Sequence, residues 1–145
     1  MKSYVGPRVR VELIRDQGPA HADPITAAVE VYDLLRDEAN RWDREHFLTV
    51  MLDKDHRVLG IEEVSIGSAT ATNVHPREVF KGLILANADA FVAVHNHLGD
   101  ATPSREDQEI TQRLRAAAEL LGIRFLDHVI IGRERYVSFV NDGYW

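Results

Sequence analysis

The 145 residues, 45% hydrophobic and 28% charged, fit one globular core that buries roughly 70% of its unfolded surface, with no room for a second full domain. Seventeen Lys+Arg against 23 Asp+Glu give a formal charge of -6, and only Lys2, Lys54 and Lys81 are lysines, so non-specific duplex binding by this chain alone is disfavoured. The absence of cysteine excludes disulfide scaffolds, Cys-ligated zinc, iron-sulfur clusters and thiol catalysis, so any metal must take His, Asp or Glu.

No apolar run has signal-peptide length and none approaches the roughly 20 residues of a membrane helix, so a soluble, cytoplasmic protein is expected. No internal repeat or low-complexity tract appears. Arg8 to Leu13 alternates polar and apolar residues and reads as a short edge strand before the break at Gly18-Pro19. Asp23-Pro24 predicts a cap and first helical position, and Ala28, Val31, Tyr32, Leu35 and Ala39 at helical spacing carry that helix to about Asn40. His46 to Leu52, the turn Asp53 to His56, and Val58 to Ile66 read as a hairpin. His75-Pro76 starts a second helix with Val79, Phe80, Leu83 and Ile84 on its apolar side, ending near Asn87.

Ala90 to Val94 has no polar residue, which suits a strand buried on both faces, and it runs straight into His95-Asn96-His97. Ser104 to Leu121 forms the third helix, stopped by Gly122; Ile123 to Ile131 and Tyr136 to Val140 make two last strands. The expected fold class is α/β, a mixed sheet with flanking helices.

The chemistry gathers at His95 and His97. Side chains at i and i+2 of a strand leave the same face, so two imidazoles converge at a strand end. Catalytic zinc commonly takes three protein ligands and leaves one position open. Asp107, in the first turn of a helix that opens seven residues after His97, is the best third ligand. A metal held this way can lower the pKa of bound water from roughly 15.7 toward about 7 and polarise a carbonyl, which suits amide hydrolysis. A carboxylate outside that shell must move the proton, and spacing leaves Glu45, Glu62 and Glu63 open. Plainer readings stand beside these. Ser104-x-x-Asp107 is also a capping box, and a lone His-x-His often only hydrogen-bonds. Asp127-His128 reads as a buried hydrogen-bonded pair, His75 as a helix cap, and His21, His46 and His56 show no partner spacing.

Glu45-His46-Phe47 with Leu52-Asp53, Val74 to Phe80, His95-Asn96-His97, Thr102 to Asp107, and Leu126 to Gly132 resemble the RadC family of the JAMM (MPN-like) metalloprotease superfamily. The likeness runs from about Trp42 to Val140. It suggests residues 42-145 as a RadC-like JAMM/MPN domain, with 1-41 as an N-terminal strand and helix packed on it. The resemblance implies a cytidine-deaminase-like sandwich holding Zn2+, with His95, His97 and Asp107 as metal ligands, Glu45 as the catalytic base and Ser104 steadying the oxyanion. The implied partner is a peptide or protein substrate. Longer relatives carry an N-terminal helix-hairpin-helix region, for which this chain has no room. The alternative is a non-catalytic MPN-type interaction module linked to DNA repair or mobile elements. What motivates it is a departure: Leu98 replaces the family's usual proline and the loop is one residue shorter, so Asp107 lies ten rather than eleven positions beyond His97. Gly99 is expected to absorb the shortening through backbone angles closed to other residues.

Overall fold

A computed structural model describes residues 6-16, 23-67 and 74-145. Its elements are α1 (Ala28–Ala39), β1 (Glu45–Leu52), β2 (Val58–Gly67), α2 (Pro76–Leu85), β3 (Ala90–Asn96), α3 (Arg105–Leu121), β4 (Arg124–Ile131) and β5 (Tyr136–Ser138). The five strands form one mixed sheet in the order β2-β1-β3-β4-β5, as the α/β reading requires. β1 is antiparallel to β2 and β3, while β3 and β4 run parallel through the α3 crossover.

The hydrophobic pattern sorts the helices to opposite faces. Val31 and Leu35 of α1 join Leu48, Val50, Val92, Val94, Val129 and Ile131 under one face. Val79 and Leu83 of α2 and Ile110 and Leu114 of α3 join Phe47, Met51, Phe91 and Ala93 under the other. Each fully buried aliphatic side chain contributes about 1.5–3 kcal/mol relative to exposure. Burial on both faces explains why β1 and β3 read as continuous apolar runs.

Three boundaries differ from the sequence reading. Arg8 to Leu13 forms no strand; Val9 and Val11 stand 84% and 68% exposed, and the tie to the sheet is Arg15 Nε donating to the Leu59 carbonyl at 3.3 Å. Leu13 packs against the core beside α2 and α3, but Val9 and Val11 cover nothing, so the alternation does not build a buried face. α1 begins at Ala28 rather than Pro24 because the Glu30 carboxylate accepts the Thr26 and Ala27 N–H groups, and Ile25 N–H is spent on the His56 carbonyl at 2.8 Å. β5 stops at Ser138 because Asp142 captures the Ser138 N–H at 2.8 Å and returns its own N–H to the Ser138 carbonyl, closing a turn. Gly122 ends α3 in the left-handed region at φ 69°, as expected of a terminal glycine.

Candidate metal centre

His95 is the second-last residue of β3, paired opposite Phe47 of β1, and is 1% exposed. His97 N–H donates to the Ile131 carbonyl at 2.9 Å, which prolongs the extended backbone past the strand end. Both imidazoles therefore leave on the α3 side, ring centroids 4.8 Å apart. Asp107, third residue of α3 and 2% exposed, faces them both: Oδ2 lies 3.0 Å from His97 Nε2 and Oδ1 3.3 Å from His95 Nδ1. Glu45, first residue of β1, places Oε2 3.6 Å from His95 Nε2.

These four side chains, from three separate elements, meet at one end of the sheet. Ligand atoms of Glu45, His95 and His97 all lie within 4.8 Å of one another, enough for those three to hold a metal ion. That triplet contains Glu45, which the sequence reading kept outside the metal's shell, while Asp107 touches both histidines. His95 turns one nitrogen toward each carboxylate, and Asp107 meets the two histidines through different oxygens, Oδ1 at His95 and Oδ2 at His97.

The hydrogen-bond pattern tests whether a cation fits. His97 Nδ1 lies 2.9 Å from the Asp100 carbonyl, an oxygen that only accepts, so Nδ1 carries the proton. In the neutral ring Nε2 is then a bare lone pair, aimed at a carboxylate oxygen that is also an acceptor. Two acceptors 3.0 Å apart need a cation between them, either a proton or a metal. His95 adds two buried ring nitrogens that make no hydrogen bond among the described residues. Ligands about 2.0–2.1 Å from tetrahedral zinc sit roughly 3.3 Å from one another, close to the separations found. The residues fit the ion.

Electrostatics follow the same contacts. Burial alone would lower the His97 pKa, but the Asp107 hydrogen bond, the Asp100 carbonyl and the charges of Asp107 and Glu45 outweigh it and raise it. Burial pushes Asp107 upward, and hydrogen bonds from His97 and the Ser104 N–H, with the nearby histidines, overcome this and hold it at about 2. Asp107 is anionic at any working pH.

Ser104 is the N-cap of α3. Its Oγ accepts from Asp107 N–H at 3.1 Å, and Asp107 Oδ2 accepts from Ser104 N–H at 2.8 Å. The capping box is real, and its carboxylate is the same one that faces the histidines. Among the three candidate bases, Glu63 accepts from or shares a proton with His46 Nδ1 at 2.8 Å. Glu62 packs against Gly82, with one carboxylate oxygen buried and unpartnered and its pKa raised by burial. Glu45 is the one placed against the site histidines.

The loop from Leu98 to Pro103 differs from expectation. Gly99 does not enter the left-handed region; among described glycines Gly67, Gly122 and Gly143 do. The short loop is held by side chains instead. Arg135 grips Asp100 with Nε and Nη2 at 2.9 and 3.0 Å, and Arg133 N–H donates to the Gly99 carbonyl at 3.0 Å. The Asp127-His128 pair is also corrected. Adjacent strand residues face opposite ways, so Asp127 accepts from Ser138 Oγ, Val140 N–H and the His128 backbone N–H, while the His128 ring meets Thr111 at 2.7 Å. His75 caps α2 as read, its Nδ1 accepting from Arg77 N–H at 3.1 Å; His21 lies outside the described residues.

Two contributors escaped the sequence reading. Asn96 is 2% exposed, and its carboxamide accepts from His46 N–H at 2.6 Å and donates to the Arg44 carbonyl at 3.0 Å. It clasps the backbone on either side of Glu45. His128 is fully buried behind His95, and Thr111 Oγ1 gives its proton to the Asp107 carbonyl at 2.8 Å, so His128 Nδ1 must donate to Thr111. No sequence spacing signals either contact.

The RadC-like JAB domain model matches residues 25–144 of this chain. The chain belongs to the RadC family. A UPF0758 protein of Caldanaerobacter subterraneus subsp. tengcongensis is 48% identical over 122 residues, which is 83% of this chain and 52% of that relative. One from Desulforudis audaxviator is 45% identical over 115 residues, 79% of this chain and 50% of the relative. One from Staphylococcus haemolyticus is 41% identical over 122 residues, 83% of this chain and 54% of the relative. The RadC chain described here thus spans about half the length of these curated relatives. Its match includes α1, whose apolar side completes the core beneath the centre. No helix among the described residues of this RadC protein is long and apolar enough to cross a membrane.

Proposed function

We propose that this RadC-family chain is a zinc-dependent hydrolase of peptide or isopeptide bonds, with His95, His97 and Asp107 as ligands, Glu45 moving the proton and Ser104 aiding the oxyanion. One observation carries the reading: His97 Nε2, whose partner nitrogen is committed to the Asp100 carbonyl, and the Asp107 carboxylate face each other across 3.0 Å beside a buried second imidazole. Zinc held there would supply a Lewis acid able to polarise a carbonyl and lower the pKa of a water.

The remaining work falls to the protein. Asp107, sealed at 2% exposure and fixed by the Ser104 N–H, serves as a permanent anion. The Glu45 side chain is 33% exposed, so it can exchange protons with solvent, and Asn96 fixes the backbone on both sides of it. A base set this way takes a proton from water at Oε2 and returns it to the leaving nitrogen. Ser104 Oγ spends an acceptor site on the Asp107 N–H, which leaves its hydroxyl proton to donate toward a developing oxyanion. The interaction-module alternative drew on the shortened loop. That loop nevertheless delivers Asp107 to His97, which supports the metal reading.

Metal analysis of the purified chain tests the first step. About one zinc per chain is expected, with less than a tenth of that in His97→Ala; a wild-type protein that takes up no zinc overturns the proposal. A peptide-library assay on the zinc-loaded protein tests the second, with Glu45→Gln as the control that must lose turnover while keeping its metal.

A further inference from the structure

Beside His97 a cavity of about 320 Å³ opens between the C-terminal end of α1 and the turn that follows β4. Ligand sites run from about 300 to 1,000 Å³, so this one has room for a single side chain. Ala39, Trp42, Leu98, Ile131 and Gly132 line it together with the polar Asn40, His97 and Arg133.

The walls are already set. Trp42 lies flat on the His46 ring at 4.0 Å, and Ala39 and Ile131 are buried in the core. Gly132 is pressed so closely on the loop that an added Cβ would lie 2.7 Å from Ala101 N. Arg133 Nε donates to the Leu98 carbonyl at 2.6 Å, which lays the guanidinium along the rim. Its terminal nitrogens meet no carboxylate among the described residues. The helix end does not demand a cation here, because Asn40, Arg41 and Trp42 N–H groups and Arg41 Nε already take the carbonyls of Arg36, Asp37, Glu38 and Ala39.

A preformed, mostly polar slot with one guanidinium fork at its mouth is complementary to a carboxylate carried on a short stem. We propose that this cavity is a substrate subsite that takes a carboxylate-bearing residue next to the scissile bond, with Arg133 selecting for the charge. The inference rests on the hydrolase reading, and it makes the preferred substrates acidic near the cleavage point. The carboxylate can be a glutamate side chain or the free C-terminus of a chain.

Backbone and indole N–H shifts of the full-length, zinc-supplemented protein test this without turnover. The probes are N-acetylglutamic acid α-amide for the side-chain source, N-acetyl-leucine for the C-terminal source, and N-acetylglutamine α-amide as the neutral control. Expected are shifts at the Trp42 indole and the Gly132 and Arg133 amides, with at least tenfold tighter binding of one or both acids than of the neutral amide. The preference should vanish in Arg133→Gln. Equal binding of the neutral probe, no shifts at these positions with either acid, or an acid preference that survives in Arg133→Gln overturns the subsite. Zinc content measured on the same samples reports the metal reading separately, so a chain without zinc and a chain without charge preference are distinct results.

Discussion

The two faces of the sheet do different work. Beneath α1 the strands bury an aliphatic layer of Leu48, Val50, Val92, Val94, Val129 and Ile131, sealed by Val31 and Leu35. Beneath α2 and α3 the same strands turn over Thr49, Glu62, His95 and His128, against Asp107 and Thr111 of α3. Burying polar groups costs free energy unless each finds a partner, and several atoms here make no hydrogen bond among the described residues. The α1 face thus gives a mainly aliphatic layer, while the other combines a second hydrophobic core with the polar groups of the candidate site. Away from the register shifts in β2 and β4, successive strand residues alternate between the two.

The sharpest test of that division is Glu45→Gln, which should lower turnover by roughly 10²- to 10⁴-fold while zinc content and unfolding midpoint stay at wild-type values. A fall in stability instead would make Glu45 a structural residue. Leu35→Ala on the other face should do the reverse. Removing a side chain that is 2% exposed should cost about 2–5 kcal/mol in denaturant unfolding and leave zinc stoichiometry intact.

The reactive face should also be the acid-sensitive one. Burial first, then the charge of His95, depresses the His128 pKa to about 3, against about 6.5 for an unfolded chain. Between those values the unfolded chain binds a proton that the folded one refuses. Its contribution is therefore complete above about pH 6.5 and declines as pH falls, by up to about 1.4 kcal/mol per unit until pH 3. Urea unfolding of wild type and His128→Asn between pH 7 and 4.5 should show the difference between them shrinking as the pH drops. The smallest effect expected is Ser104→Ala, about 1 kcal/mol from the lost cap, with a further drop in turnover if its hydroxyl meets the oxyanion. Unaltered turnover would leave Ser104 a cap alone.

Most of this architecture could be read in advance because the periodicities are strong: β1 and β3 are continuous apolar runs, and α3 has both its cap and its terminal glycine. His95 and His97 were legible because strand geometry alone puts them on one face. Asp107 forms the capping box as read, and the same carboxylate, pinned by Ser104 N–H, is turned toward both histidines at the strand end. Spacing left Glu45, Glu62 and Glu63 open and the family resemblance alone pointed to Glu45; the β1–β3 register, in which Phe47 stands opposite His95, is what sets Glu45 beside the site histidines, and no local spacing encodes that pairing. Asp127-His128 misled because neighbours in sequence are on opposite sides of a strand. The short loop misled because arginines 33 to 35 residues away, rather than the loop's own glycine, hold it.

The clasp made by Asn96 has a kinetic corollary. The His46 amide hydrogen is closed off by a side chain rooted between the two site histidines, on the neighbouring strand. Its replacement by deuterium requires that clasp to open, so the exchange rate at that single amide is a clock for how often the backbone beside Glu45 is let go.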